Sequence, residues 1–252
     1  MCAGVKARDL WHAGTQQTLS KKAMRITPHR LPRVCGGRSS KTILRVGGLG
    51  KGHKTNRKRA APQFKSRFIE MFGDPIGNPK GWRRSSLKEV APAKGDPVPD
   101  KGTVWSLGLD AVEAGTGIIL RKDIAKADSL KSSNIGFSAR HVLYSKLRPY
   151  LNKVVLPERI GVCTTELLPL LPNQSELNRV YLCYLLRSDS FVSFISGHTN
   201  GAKMPRADMN ILNSFGVSIP PLALQQEFAD FVSRVDKLRF CAAKQCTSCV
   251  QL

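Results

Sequence analysis

The stretch VLYSKLRPYLNKVV, residues 142–155, decides how this chain is read. Its two ends are apolar and β-branched, as buried strands usually are. Its middle carries Lys146, Arg148 and Lys153, with two tyrosines close by. If residues 142–148 form a strand, side chains alternate between faces. Leu143, Ser145 and Leu147 then share one face, and Val142, Tyr144, Lys146 and Arg148 share the other. A wall with two cations and an aromatic suits phosphate contact or base stacking. It equally suits a half-exposed sheet face, with the Lys and Arg stems lying past Tyr144 and their charges in water. The residue pattern alone leaves both open.

Around this stretch lie further short β-like runs divided by Gly, Pro and Asn: TVWSLGL (103–109), TGIILRKDI (116–124), NKVVLP (152–157) and VCTTELLPLLP (162–172). Ser86 and Glu89 have the spacing of a capping box that opens a short helix. LNRVYLCYLLRS (177–188) reads as a buried helix. DSFVSFIS (189–196) reads as a second, capped by Ser188 or Asp189 and ended by Gly197. Upstream, FKSRFIEMFGDP (64–75) reads as the last turns of a helix, with Gly73 as its left-handed cap and Pro75 preventing continuation.

Downstream, GAKMPRADMNILNSF (201–215) reads as a Gly-containing loop, a proline and a short helix; GVSIP (216–220) follows as a strand. Lys203 and Arg206 form a second candidate anion contact, just before a helix N-terminus whose free N–H groups favour anions. A plain helix start beside a proline is the alternative. The segment 220–240 reads as a helix begun by proline. In it Leu224, Phe228, Phe231, Val235 and Leu238 recur at intervals of four and three, a heptad seam. Two heptads do not separate a coiled coil from a helix packed on its own domain.

The net charge of +22 is unevenly placed. Residues 1–67 hold 17 Lys/Arg against one acid, Asp9, so the rest of the chain is only mildly basic. Residues 1–63 lack a sustained period and are expected to be unfolded or weakly folded. Their run KGHKTNRKR can bind nucleic acid without reading its sequence. There is no signal-peptide pattern and no apolar run of about 18 residues, so neither export nor a membrane span is expected. The seven cysteines are expected as free thiols in a reducing cytoplasm; Cys246 and Cys249 have C-x2-C spacing without a second pair.

Catalytic motifs are missing from the sequence. It has no phosphate-binding glycine loop, no GxSxG elbow, no HExxH helix and no strand-glycine-helix cofactor unit. The five histidines are isolated. Asp96, Asp100, Asp110 and Glu113 lie near Lys101, which raises a Mg-dependent nuclease as a rival, although no strand sets two acids and a lysine on one face.

Three segments together resemble one family. KSRFIEMFGDPIGNPKGW (65–82) is similar to the junction leading into a target recognition domain. HVLYSKLRPYLNKV (141–154) resembles that domain's central strand segment. GAKMPRADMNILNSFGVSIPPLALQQEF (201–228) looks like its closing loop, helix, strand and exit helix. The family is the specificity (S) subunit of type I restriction-modification systems, and the resemblance covers roughly residues 65–240.

The resemblance implies a non-catalytic chain that recognises double-stranded DNA. It implies methyltransferase (M) and restriction (R) subunits as partners, with S-adenosylmethionine, ATP and Mg used by those partners and no cofactor or metal bound here. Family members carry two recognition domains and two helical spacers. This chain resembles the second half, so a half-subunit that pairs with a second copy or another recognition domain, and a truncated product that binds nucleic acid non-specifically, both stay open. The fold expected is α+β: a twisted, mainly antiparallel sheet with packed helices, followed by a coiled-coil-type helix. The divisions expected are a basic segment 1–63, the end of a spacer-type helix 64–73, a recognition domain 74–221, an amphipathic helix 222–240 and an irregular tail 241–252. Tyr144, Lys146, Arg148, Lys153, Lys203 and Arg206 are the expected DNA-facing residues. Leu224, Phe228, Phe231, Val235 and Leu238 are the expected partner-helix seam.

Overall fold

A computed structural model describes residues 51–130 and 132–248, with side chains for 62–130 and 132–238. Of the segment 1–63 expected to be unfolded, residues 1–50 therefore lie outside the described residues. The first described element, α1 (Lys51–Phe72), begins well before Phe64 and carries Pro62 in its interior. This corrects the expectation for residues 51–63, where polar and basic side chains give no apolar period but do not oppose helix. The other end of α1 is as expected. Gly73 has φ 80°, and its N–H donates to the Ile69 carbonyl at 2.8 Å.

The chain then enters an α+β body. It contains β1 (Arg83–Ser86), α2 (Leu87–Val90), β2 (Thr103–Leu107), β3 (Asp123–Lys126), β4 (Ile135–Phe137), β5 (Val142–Ser145) and β6 (Val154–Val155). It continues with β7 (Gly161–Cys163), β8 (Leu167–Leu170), α3 (Arg179–Leu186), α4 (Asp189–Ser196), β9 (Thr199–Asn200), β10 (Arg206–Ala207), α5 (Met209–Ser214) and β11 (Gly216–Ile219). The last element, α6 (Leu222–Ser248), extends past residue 240, so the expected irregular tail is helical through Ser248. The Glu89 carboxylate accepts from the Ser86 N–H at 3.2 Å, closing the expected box at the start of α2. Ser188, the N-cap of α4, accepts from the Phe191 N–H.

The strands form small sheets rather than one. A four-stranded sheet has the order β3-β2-β7-β4, with β2 and β7 parallel and the other pairs antiparallel. A three-stranded antiparallel sheet has the order β6-β5-β8. The single run expected at 162–172 is thus two strands in two sheets, turning at Thr164, whose carbonyl accepts from the Leu167 N–H at 2.9 Å.

Two apolar cores meet at β5. Val142 and Tyr144 point into the larger core, with Phe191, Tyr181 and Leu182 from the helices. Leu143 points into the smaller one, with Leu107, Phe137, Cys163 and Leu167. Every residue of β5 is therefore buried. Burial pushes the Cys163 thiol up to about 12, so it packs as an inert apolar group.

The body is held between its first and last helices. β1 pairs antiparallel with β11, from Arg83 opposite Ile219 to Ser86 opposite Gly216. This brings α1 and α6 together. Phe64 meets Phe231 (ring centroids 6.2 Å apart) and Phe68 meets Phe228 (5.5 Å), so the two helices run antiparallel. Phe72 and Tyr181 extend the aromatic cluster, and the Tyr181 hydroxyl donates to the Ser218 carbonyl at 2.8 Å. Gln225, fully buried at the start of α6, accepts from the Asn178 N–H at 2.7 Å. It donates to the carbonyls of Glu176 (2.9 Å) and Pro220 (2.8 Å). The first glutamine of the LALQQEF motif thus satisfies three backbone groups that burial would otherwise leave unpaired.

The α6 seam divides. Phe228 is fully buried, and Leu224, Phe231 and Val235 pack against the larger core of this same chain. Leu238 is 70% exposed. Phe228→Ala is therefore expected to lower stability in urea unfolding by about 3–5 kcal/mol, and Leu238→Ala to leave it within about 0.5 kcal/mol. Equal effects would mean that the two seam positions share one environment.

Candidate nucleic-acid interface

β5 stops at Ser145, three residues before the expected end. Ser145 remains buried, its hydroxyl donating to the Leu147 carbonyl at 2.8 Å. Beyond it the chain pairs with a distant segment. The Ala207 N–H donates to the Lys146 carbonyl at 2.8 Å and the Arg148 N–H to the Pro205 carbonyl at 2.7 Å, with Leu147 opposite Arg206 in an isolated antiparallel bridge. The Lys146 N–H donates to the Glu166 carbonyl at 3.1 Å. These bonds join the β5 exit, the β7–β8 turn and the β9–β10 hairpin. The backbones of Lys146, Arg148 and Arg206 are so brought together, with Lys203 in the hairpin's exposed loop.

Arg148 is in the left-handed region, φ 50°. That is unusual for a long side chain and costs about 1–2 kcal/mol. The cross-chain bond from its N–H holds it there, and Pro149 opens a single 3-10 turn directly after it. The turn ends the strand alternation and leaves Arg148 exposed. Strained backbone of this kind concentrates at functional positions.

The expected residues fare differently. Lys146, Arg148 and Lys203 make no ion pair among the described residues. Arg206 is paired with Glu166, its Nε donating at 3.1 and 3.3 Å and its Nη2 at 2.8 Å. Lys153 is turned inward: its ammonium donates to the Leu109 carbonyl at 2.7 Å, tying the loop before β3 to the β5–β6 connection. Tyr144 is a correction. It is 3% exposed, its ring lies 6.1 Å from that of Phe191, and burial raises the pKa of its phenol. It cannot stack on a base, because its face of β5 is covered by helices. Tyr150, 54% exposed in the turn after Arg148, is the accessible tyrosine of this segment. The alternation placing Tyr144 with Val142 holds; what the segment itself does not signal is the helices that cover that face.

The N-terminus of α5 is also not open to an anion. Asp208 caps it, accepting from the N–H groups of Asn210 (2.8 Å) and Ile211 (3.3 Å). Hydrogen bonds from the Asn200 amide and these N–H groups hold its carboxyl below the ordinary value. The four acids of the nuclease rival have separate roles. Asp96 pairs with Arg140 at 3.1 Å, Asp110 pairs with Arg121, Glu113 accepts from the Thr116 hydroxyl at 2.7 Å, and Asp100 is exposed. Among the described residues no three His, Cys, Asp or Glu side chains group as a metal site. No described helix is long and apolar enough to cross a membrane.

Comparison with known proteins agrees with this architecture. Residues 79–245 match the family described as the type I restriction modification DNA specificity domain, and the chain belongs to that family. It is similar to the type I restriction enzyme EcoDI specificity subunit of Escherichia coli, at 25% identity over 182 residues. That match covers 72% of this chain and 38% of the relative, so the chain spans well under half of that protein's length. Among solved structures, the fold is like that of the HsdS subunit from Thermoanaerobacter tengcongensis, with a TM-score of 0.51 and 20% identity over 68% of this chain and 46% of that one. It is also like a chain from a study of complex assembly and conformational transition of the type I R-M system, with a TM-score of 0.53 and 20% identity over 68% and 47%.

Two substitutions check the reassigned residues. The Tyr144 hydroxyl is buried without a hydrogen-bond partner among the described residues, so Tyr144→Phe should leave thermal stability unchanged or raise it. Lys153→Met should lower stability by about 1 kcal/mol through the lost bond to Leu109. A stable Lys153→Met chain would return that lysine to the surface set.

Proposed function

We propose that this chain is a non-catalytic DNA-recognition domain of a type I specificity subunit. It holds double-stranded DNA on the surface formed by the β5 exit and the β9–β10 hairpin. One observation carries the reading: three backbone hydrogen bonds gather residues 146–148, 166 and 205–207, which lie far apart in sequence, and of the cations there Lys146 and Arg148 make no ion pair among the described residues. The +22 total charge does not carry it, because most of that charge belongs to residues 1–67.

In this reading Lys146, Arg148 and Lys203 bind phosphates and set the domain's position on the duplex. The neighbouring loops meet base edges in a groove. The M and R subunits supply adenine methylation and cleavage with their S-adenosylmethionine, ATP and Mg, in the cytoplasm where the DNA is. The antiparallel α1–α6 pair is the stalk through which those partners, or a further recognition domain, are met. The exposed Leu238, past the intramolecular part of the seam, supports an added helix there.

Lys146→Ala and Arg148→Ala should each weaken binding across all duplex sequences and lower the slope of log affinity against log salt by about one. The comparison is best made with residues 1–50 deleted, so that the basic segment does not mask the effect. Slopes unchanged in both variants would remove these residues from the DNA contact. Loss of all binding on deleting 1–50 would make the interaction non-specific.

A further inference from the structure

We propose that Arg206 reads a base rather than a phosphate, that the base is guanine, and that Glu166 is the positioning residue that aims it; this rests on the DNA-recognition reading above. A guanidinium has five N–H donors in a planar fork. In Arg206 the Nε proton and one Nη2 proton are taken by the Glu166 carboxylate, at 2.8–3.3 Å. That pairing fixes the plane of the group. The opposite edge, Nη1 with the remaining Nη2 proton, makes no hydrogen bond among the described residues, and the side chain is 44% exposed. Two parallel N–H groups on one edge match guanine O6 and N7, the acceptor pair that guanine presents in the major groove.

Charge separates the two possible roles. A phosphate on Arg206 would lie close to the Glu166 carboxylate, whose side chain is only 24% exposed and so incompletely screened. A neutral base edge meets no such repulsion. Lys146, Arg148 and Lys203 have no carboxylate against them among the described residues and are better placed to take phosphates. Both ends of the pair are also anchored. The Glu166 carbonyl accepts from the Lys146 N–H, and Arg206 lies opposite Leu147 with its neighbour Ala207 donating to Lys146. An arginine ordered before binding loses less rotamer freedom when it meets a base.

The test is selection from a duplex pool with randomised positions, using the full chain as wild type, Arg206→Lys and Glu166→Gln. Wild type should enrich a motif that contains guanine. Arg206→Lys keeps the charge but loses the fork, so preference for guanine at one position should fall about tenfold or more while the other positions stay selected. Glu166→Gln should weaken preference at that same position to a smaller degree. Affinity for the unselected pool and its salt slope should not change in Arg206→Lys.

An equal loss on all sequences with a lower salt slope would make Arg206 a phosphate contact and overturn the proposal. So would unchanged selection, or loss at different positions in the two variants. A wild type that enriches no motif would overturn the DNA-recognition reading itself, and this proposal with it.

Discussion

A strand buried on both faces cannot carry charge, and the arrangement of the site follows from that constraint. Val142 and Tyr144 fill one core and Leu143 the other, while β6 and β8 cover the edges of β5. Desolvating an unpaired lysine or arginine there would cost several kcal/mol. The cations of the segment must therefore follow Ser145, where the chain has left the cores. Past that point the backbone still needs partners, and residues 205–207 and the Glu166 carbonyl provide them. The same hydrogen bonds that finish the strand thus bring residues 146–148 and 205–207 together. The left-handed Arg148 marks where the buried strand gives way to exposed chain.

The second organising feature is the closure of the body on its own ends. The β1–β11 pair and the aromatic contacts of Phe64, Phe68 and Phe72 with Phe228, Phe231 and Tyr181 set the body between two antiparallel helices. A rigid two-helix base suits a recognition module, because the surface it carries then has a defined direction relative to whatever the helices join. Gln225 serves this base: it ties the start of α6 to residues 176–178 through groups that an apolar side chain would leave unpaired.

Much of this was legible in the sequence where a residue has one physical use. Gly73 at a left-handed cap, Ser188 at an N-cap and the strand at 216–219 all follow from local chemistry, whereas Phe228, expected against a partner helix, packs in the core of its own chain. The cations Lys146, Arg148 and Arg206 were also visible, but their meeting depends on long-range pairing. Tyr144 was misassigned because helices cover the face that the pattern left open, and that cover comes from residues distant in sequence. Lys153 looked like the other cations; only the Leu109 carbonyl, distant in sequence, distinguishes it. Glu166 gave no local signal, since its importance lies in a pairing 40 residues away. The helix at 51–63 lacked an apolar period and so could not be seen by one.

The central claim is that the surface gathered at the end of β5 is where DNA rests. Lysine acetylation footprinting of the chain, with and without duplex DNA, tests it most directly. Lys146 and Lys203 should become protected on adding the duplex. Lys88 and Lys94, exposed elsewhere on the body, should react at the same rate in both conditions. Protection of Lys88 and Lys94 with Lys146 and Lys203 left reactive would contradict the account.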